Sequence, residues 1–159
     1  MKTLKEFIAK RKYVSVQYDK ESQDKLRDWA TKNGFNLAVK YNGNEQDPKS
    51  FDFHTTVFYS TNEVNLRNKT VKLPPTEVTI SKIKFLGDDA DIPVLSIEVT
   101  DGIKDLRQQY EELGLEDKWP DYQPHISLSY AKEQRDTSKI KLPDFKPKYD
   151  KLIIEDIEE

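Results

Sequence analysis

Residues 54–60 read HTTVFYS and residues 125–130 read HISLSY. These two segments hold the only histidines of the chain, His54 and His125. Each histidine is followed two residues later by a hydroxyl residue, Thr56 or Ser127. Both segments have the β-branched and aromatic character of strands. In a strand, residues i and i+2 point to one face, so His54 projects with Thr56 and His125 with Ser127. Val57 and Tyr59, and in the other segment Ile126 and Leu128, are left for packing.

Working outward from these segments, the same order of elements appears twice. YVSVQY (13–18) alternates as a strand, with Val14, Val16 and Tyr18 on one face and Tyr13, Ser15 and Gln17 on the other. Asp19 or Ser22 can cap a helix carrying Leu26, Trp29 and Ala30, and Asn33-Gly34 stops it. A polar loop over 40–50 then leads to the His54 strand. In the second half PVLSIEV reads as a strand, and Asp101 can cap a helix with Ile103, Leu106, Tyr110 and Leu113 inward. Gly114 ends that helix, and a loop with Trp119-Pro120 and Tyr122 leads to the His125 strand. The loop residues either line a cleft mouth or pack the loop itself. The expected fold is α+β: two pseudo-symmetric lobes, each an antiparallel sheet with a packed helix, around a central cleft carrying two H-x-[ST] motifs. All of residues 1–159 are expected in that one two-lobed domain, a size that supports a core without staples.

The remaining segments are connective. MKTLKEFIAKRK suggests a short helix with Leu4, Phe7 and Ile8 on one side. Residues 61–76 are irregular around Pro74-Pro75. TEVTISKIKFL is expected as one strand, with GDDAD as the turn to the next. Asp88, Asp89 and Asp91 in that turn are read as solvated carboxylates rather than metal ligands. KLIIEDIEE is expected as the last strand.

Composition narrows the function classes. The absence of cysteine excludes disulfides, thiolate metal sites and cysteine nucleophiles. With 26 Lys+Arg against 29 Asp+Glu the net charge is −3, which argues against sequence-blind binding of long nucleic acid. No apolar run approaches the roughly 20 residues that span a bilayer, and no signal-peptide pattern opens the chain. A cytoplasmic protein without membrane contact is the expectation. There is no glycine-rich phosphate loop and no nucleophile elbow.

Two imidazoles, each with a neighbouring hydroxyl, suit phosphodiester chemistry. One imidazole takes a proton from the nucleophile while the other protonates the leaving oxygen. The hydroxyls donate to the non-bridging phosphate oxygens, and the scheme calls for no metal or cofactor. Which histidine is base and which acid is open at this point.

The paired motifs His54-Thr55-Thr56-Val57 and His125-Ile126-Ser127-Leu128 resemble the signature of the two-histidine (2H) phosphoesterase superfamily. FHTTVFYS and YQPHISLSY most resemble the phage anti-CBASS phosphodiesterases, and the likeness runs from about Tyr13 to the C-terminus. The resemblance implies cleavage of 3′–5′ linkages in the cyclic di- and trinucleotide signals of bacterial antiviral defence, for example 3′,3′-cyclic GMP–AMP. Attack by the adjacent ribose 2′-hydroxyl would give a linear product, and a phage-encoded member would act in the host cytoplasm. It further implies catalytic roles for His54, Thr56, His125 and Ser127 and a ligand contact for Tyr13. A base-edge contact falls to Glu158, or to Glu155, and a base-stacking role to Phe85, for which core packing is the other reading. The family commonly continues into a C-terminal aromatic tail that closes over ligand, whereas this sequence ends at Glu159. RNA 2′,3′-cyclic or 2′–5′ phosphodiesterase activity within the same superfamily, and a non-cutting nucleotide sponge, are the alternatives.

Overall fold

The computed structural model describes residues 10–66, 69–73, 76–119 and 121–157. The expected N-terminal helix and Pro74-Pro75 therefore fall wholly or mostly outside the described residues. Strand β1 (Lys12–Tyr18) leads to helix α1 (Lys20–Lys32), a 3-10 turn (Pro48–Ser50) and β2 (His54–Tyr59). Then come β3 (Thr76–Glu77), β4 (Ile80–Leu86), β5 (Ile92–Ile97), α2 (Asp101–Glu112), β6 (His125–Ser127) and β7 (Lys148–Asp156). A four-stranded sheet has the order β2-β1-β7-β3 and a three-stranded sheet the order β4-β5-β6, with antiparallel pairing throughout.

The repeat read from sequence is also a repeat of register. Gln17 pairs with His54 and Ser15 with Thr56, just as Ser96 pairs with His125 and Val94 with Ser127. In each lobe the strand before the helix pairs with the strand that carries the histidine. Asp19 caps α1 by accepting from the Ser22 amide at 2.8 Å, and Gly34 ends it at φ +79°. For α2 the expected Asp101 cap is corrected. Thr100 holds the extended cap geometry and accepts from the Ile103 amide, which leaves Asp101 as the first-turn carboxylate beside the positive end of the helix dipole.

TEVTISKIKFL is likewise not one strand. Thr76–Glu77 pair with β7 in the first sheet, whereas Ile80–Leu86 pair with β5 in the second. Buried Val78 sits at the crossing, where its amide donates to the Pro147 carbonyl at 2.8 Å. The alternation in this stretch marks two strand pieces, but the hand-over between sheets is a tertiary event.

One core serves both lobes. Val14 and Val16 of β1, Leu26 and Ala30 of α1, Leu95 and Ile97 of β5, Ile103, Leu106 and Tyr110 of α2, and Ile126 of β6 join a single buried cluster. The sheets meet where β2 runs beside β6. There the Thr55 hydroxyl donates to the His125 carbonyl at 3.0 Å, and the Tyr18 hydroxyl lies 2.7 Å from the Thr55 oxygen. Because the Thr55 hydrogen is committed to a carbonyl, Tyr18 is the donor in the second bond. Burial holds the Tyr18 pKa well above its ordinary value, so it keeps that proton. Thr55→Val preserves shape but strands the Tyr18 hydroxyl and the His125 carbonyl. Urea denaturation is expected to show a loss of about 1–3 kcal/mol, with Thr55→Ser closer to wild type.

Candidate active site

His54 and His125 lie close enough to interact electrostatically across the junction. Each is set by the same local contact. His54 Nδ1 is 3.2 Å from the Asp52 carbonyl oxygen, and His125 Nδ1 is 2.9 Å from that of Gln123. A carbonyl only accepts, so Nδ1 carries the hydrogen in both rings and Nε2 is free to exchange a proton with a ligand. Burial lowers the His125 pKa most, and the nearby charges of His54 and Lys84 act in the same direction against the Gln123 hydrogen bond. Its neutral form is therefore favoured near neutral pH.

The hydroxyls are held by tyrosines. Tyr13 lies with its phenolic oxygen 2.7 Å from Thr56 Oγ1, reaching across from β1. Ser127 shares a side-chain hydrogen bond with Tyr130, whose ring stacks on buried Phe51 at 5.6 Å. Burial raises the pKa of both tyrosines, which keeps them protonated. The sequence reading missed Tyr130. Its signal was present, because both motifs extend to a tyrosine five residues after the histidine, Tyr59 and Tyr130.

Tyr59 itself departs from expectation. Simple alternation puts it with Val57 on the packing face, but β2 slips relative to β1 between the pairs Val14–Phe58 and Ser15–Thr56. Val57 is the extra residue of a bulge, so Phe58 turns into the core and Tyr59 comes opposite Tyr13. Their rings meet edge to face at 6.0 Å. The carbonyls around the bulge are taken up by the other lobe. Tyr122 donates to the Thr56 carbonyl at 2.6 Å, and Arg107 to the Val57 carbonyl at 2.5 Å. Arg107 also pairs with Asp117 and lies 4.0 Å from the centroid of the Tyr122 ring. This clamp fixes the backbone that carries Thr56.

The other expected contacts divide. Glu155 pairs directly with Tyr13 across β1–β7 and so shares the face that bears Thr56. Glu158 lies outside the described residues. Phe85 is a correction: it pairs with Pro93 on the face of the second sheet that carries Leu95 and Ile126, opposite to His125 and Ser127. Lys84, one residue earlier, takes the histidine face, and sequence gave no signal for it beyond its charge. An open depression of about 450 Å3 lined in part by Gln17, Asp52, Lys49 and Lys151 lies beside β1, but neither histidine lines it.

The arrangement therefore brings together two imidazoles with the same Nδ1 contact, two hydroxyls bonded to tyrosines and one lysine where the two sheets meet. The solved structure of E. coli LigT complexed with 3′-AMP aligns with a TM-score of 0.58 at 14% identity, over 92% of this chain and 86% of that one. A second solved structure, described as a phosphoesterase, gives 0.58 at 13% identity over 91% and 86%. At such identity the likeness shows the fold. No curated protein sequence matches the chain. The family model of the anti-CBASS protein Acb1 matches residues 10–159. The chain thus belongs to the Acb1 anti-CBASS family.

Proposed function

We propose that this protein is a phosphodiesterase that opens cyclic oligonucleotide signals at a 3′–5′ linkage without metal, and so counters CBASS defence. The observation that carries the reading is the matched pair of imidazoles, each with Nδ1 fixed and Nε2 free, beside two tyrosine-held hydroxyls. The Acb1 family assignment supports the signal class.

In the proposed mechanism, His125 Nε2 removes the proton from the ribose 2′-hydroxyl next to the scissile phosphate. The 2′-oxygen bonds to phosphorus, and charge grows on the non-bridging oxygens, to which Thr56 and Ser127 donate. The bond from phosphorus to the 5′-oxygen breaks as His54, in its protonated form, gives that oxygen a proton. The ring is then a linear oligonucleotide with a 5′-hydroxyl and a terminal 2′,3′-cyclic phosphate. Water can open that phosphate with the two histidines exchanging roles. His125 is the base because its burial and its cationic neighbours disfavour the imidazolium. Tyr13 and Tyr130 hold the two hydroxyls toward phosphate, and Glu155 stands where a base edge can donate to it. Phe85 has no part in this scheme.

The direct assay is incubation with 3′,3′-cyclic GMP–AMP in excess EDTA, with products followed by ion exchange and mass spectrometry. Linear dinucleotide is expected. Bound but intact ligand would instead make the protein a sponge, and ligand neither bound nor cut would remove this substrate in favour of RNA ends. His54→Ala and His125→Ala are each expected to abolish turnover while binding persists. Near wild-type turnover in either variant would overturn the mechanism.

The acidic limb of the kcat/KM profile is expected below the ordinary imidazole value of about 6.5, since His125 must be neutral to act and its pKa is lowered. Lys84→Met removes a positive charge that opposes protonation, so this limb should move to higher pH. An unmoved limb would count against His125 as the base.

Tyr130→Phe removes one oriented hydroxyl and keeps the ring on Phe51. Turnover is expected to fall by roughly tenfold with KM little changed, the scale of one net hydrogen bond. In a Ser127→Ala background the same change should have little further effect, whereas beside Thr56→Ala the two losses should add. Equal losses in both backgrounds would show that Tyr130 does not act through Ser127.

A further inference from the structure

Among the described residues, two aromatic side chains are largely exposed: Tyr41 at 87% and Trp119 at 52%. They occupy corresponding places. Tyr41 lies in the loop that precedes the His54 strand, and Trp119 in the loop that precedes the His125 strand. Each makes a T-shaped contact with the tyrosine five residues after the other histidine. Tyr41 meets Tyr130 at 5.6 Å between centroids and 88° between planes, and Trp119 meets Tyr59 at 5.3 Å and 62°. The pseudo-symmetry of the lobes is thus continued outward by a crossed pair of exposed rings.

Both rings connect to the tyrosines that hold the two hydroxyls. Tyr41 interacts electrostatically with Tyr13 and with Tyr130, whose hydroxyls sit on Thr56 and Ser127. Trp119 reaches the same centre through Tyr59 and Tyr13. The Tyr41 loop is built rather than slack. The Lys40 amide donates to the Asn44 carbonyl at 2.7 Å, the Gly43 amide to Lys40 at 2.9 Å, and the Gln46 amide to Ala38 at 2.8 Å. Gly43 at φ +88° closes the turn, a conformation that favours glycine. On the other side, the Trp119 amide donates to the Asp117 carboxylate at 3.0 Å, and that carboxylate is held by Arg107. Lys118 Nζ lies 5.1 Å from the centroid of the Trp119 ring, and with Trp119 still 52% and Tyr41 87% exposed each residue offers a stacking surface at little ordering cost.

We infer that Tyr41 and Trp119 are two nucleobase-stacking shelves, one per lobe, that take the two bases of a cyclic dinucleotide whose phosphate is held at Thr56 and Ser127. This rests on the phosphodiesterase reading for its ligand class and adds to it the residues that grip the bases. Stacking tolerates any base, so the shelves set affinity and the number of bases held rather than base identity.

The test is calorimetric binding of 3′,3′-cyclic GMP–AMP to His125→Ala protein, with inorganic phosphate as the base-free probe. Tyr41→Ala and Trp119→Ala are each expected to weaken dinucleotide binding by roughly tenfold, with phosphate binding unchanged and with Tyr41→Phe and Trp119→Phe restoring affinity. Both rings are exposed, so these variants are expected to keep the parent melting temperature. Unchanged dinucleotide affinity overturns the inference. A parallel loss of phosphate binding also overturns it, because the rings would then act only by bracing Tyr130 and Tyr59. If the parent protein neither cuts nor binds the dinucleotide, the substrate reading fails, and adenosine 3′-monophosphate becomes the probe. A loss of its affinity in one of the two alanine variants retains the stacking shelf, and a loss in neither removes it.

Discussion

The structure depends on one buried chain of hydrogen bonds, from the Tyr18 hydroxyl to Thr55 and from Thr55 to the carbonyl of His125. It joins the edge of one sheet to the edge of the other at the point where the two histidine strands meet. Thr55 is 1% exposed and Tyr18 3%, so water does not compete for either group. A buried polar chain of this kind is stabilising only when every member is satisfied, and that requirement fixes the relative position of the lobes. The spacing between the two imidazoles follows from it.

The bulge at Val57 adds a second constraint of the same type. A slip in pairing exposes backbone carbonyls that must find donors. Arg107 and Tyr122 supply them from the second lobe, and Arg107 is in turn neutralised by Asp117. The hydroxyl of Thr56 is thus placed by residues that do not face the candidate phosphate site. The bulge also turns Tyr59 to the site side, where it supports Tyr13 and meets Trp119. A local irregularity converts one packing residue into part of an aromatic rim.

Electrostatics at the site are local rather than global. The chain is net negative, yet Lys84 lies on the histidine face of its sheet and lowers the charge-carrying tendency of His125. A small anionic ligand senses such near neighbours, since charges farther apart than about 10 Å are largely screened at ordinary salt. This reconciles an acidic composition with the phosphate ligand proposed for the site.

The sequence by itself determined the two H-x-[ST] strands, the helices with their apolar faces, the glycine stops and the doubled order of elements. Each of these is set by period, capping or turn chemistry within a few residues. It also placed Tyr13 on one face with Ser15 and Gln17 by alternation, whereas the pairing of β1 with β2 brought that face to Thr56. What needed the tertiary structure were events governed by pairing between distant segments. Phe85 and Lys84 exchange faces because register with β5 decides which of two neighbours points to His125, and a shift of one residue inverts every side chain. Thr76–Ile80 divides between two sheets, and Thr100 displaces Asp101 as a cap, through where the chain arrives from. Tyr59 and Tyr130, alike in sequence spacing, acquire different partners because β2 bulges and runs on to Tyr59, whereas β6 ends at Ser127, before Tyr130. Local periodicity names the side chains that can share a face, whereas only the packed lobes decide which faces meet.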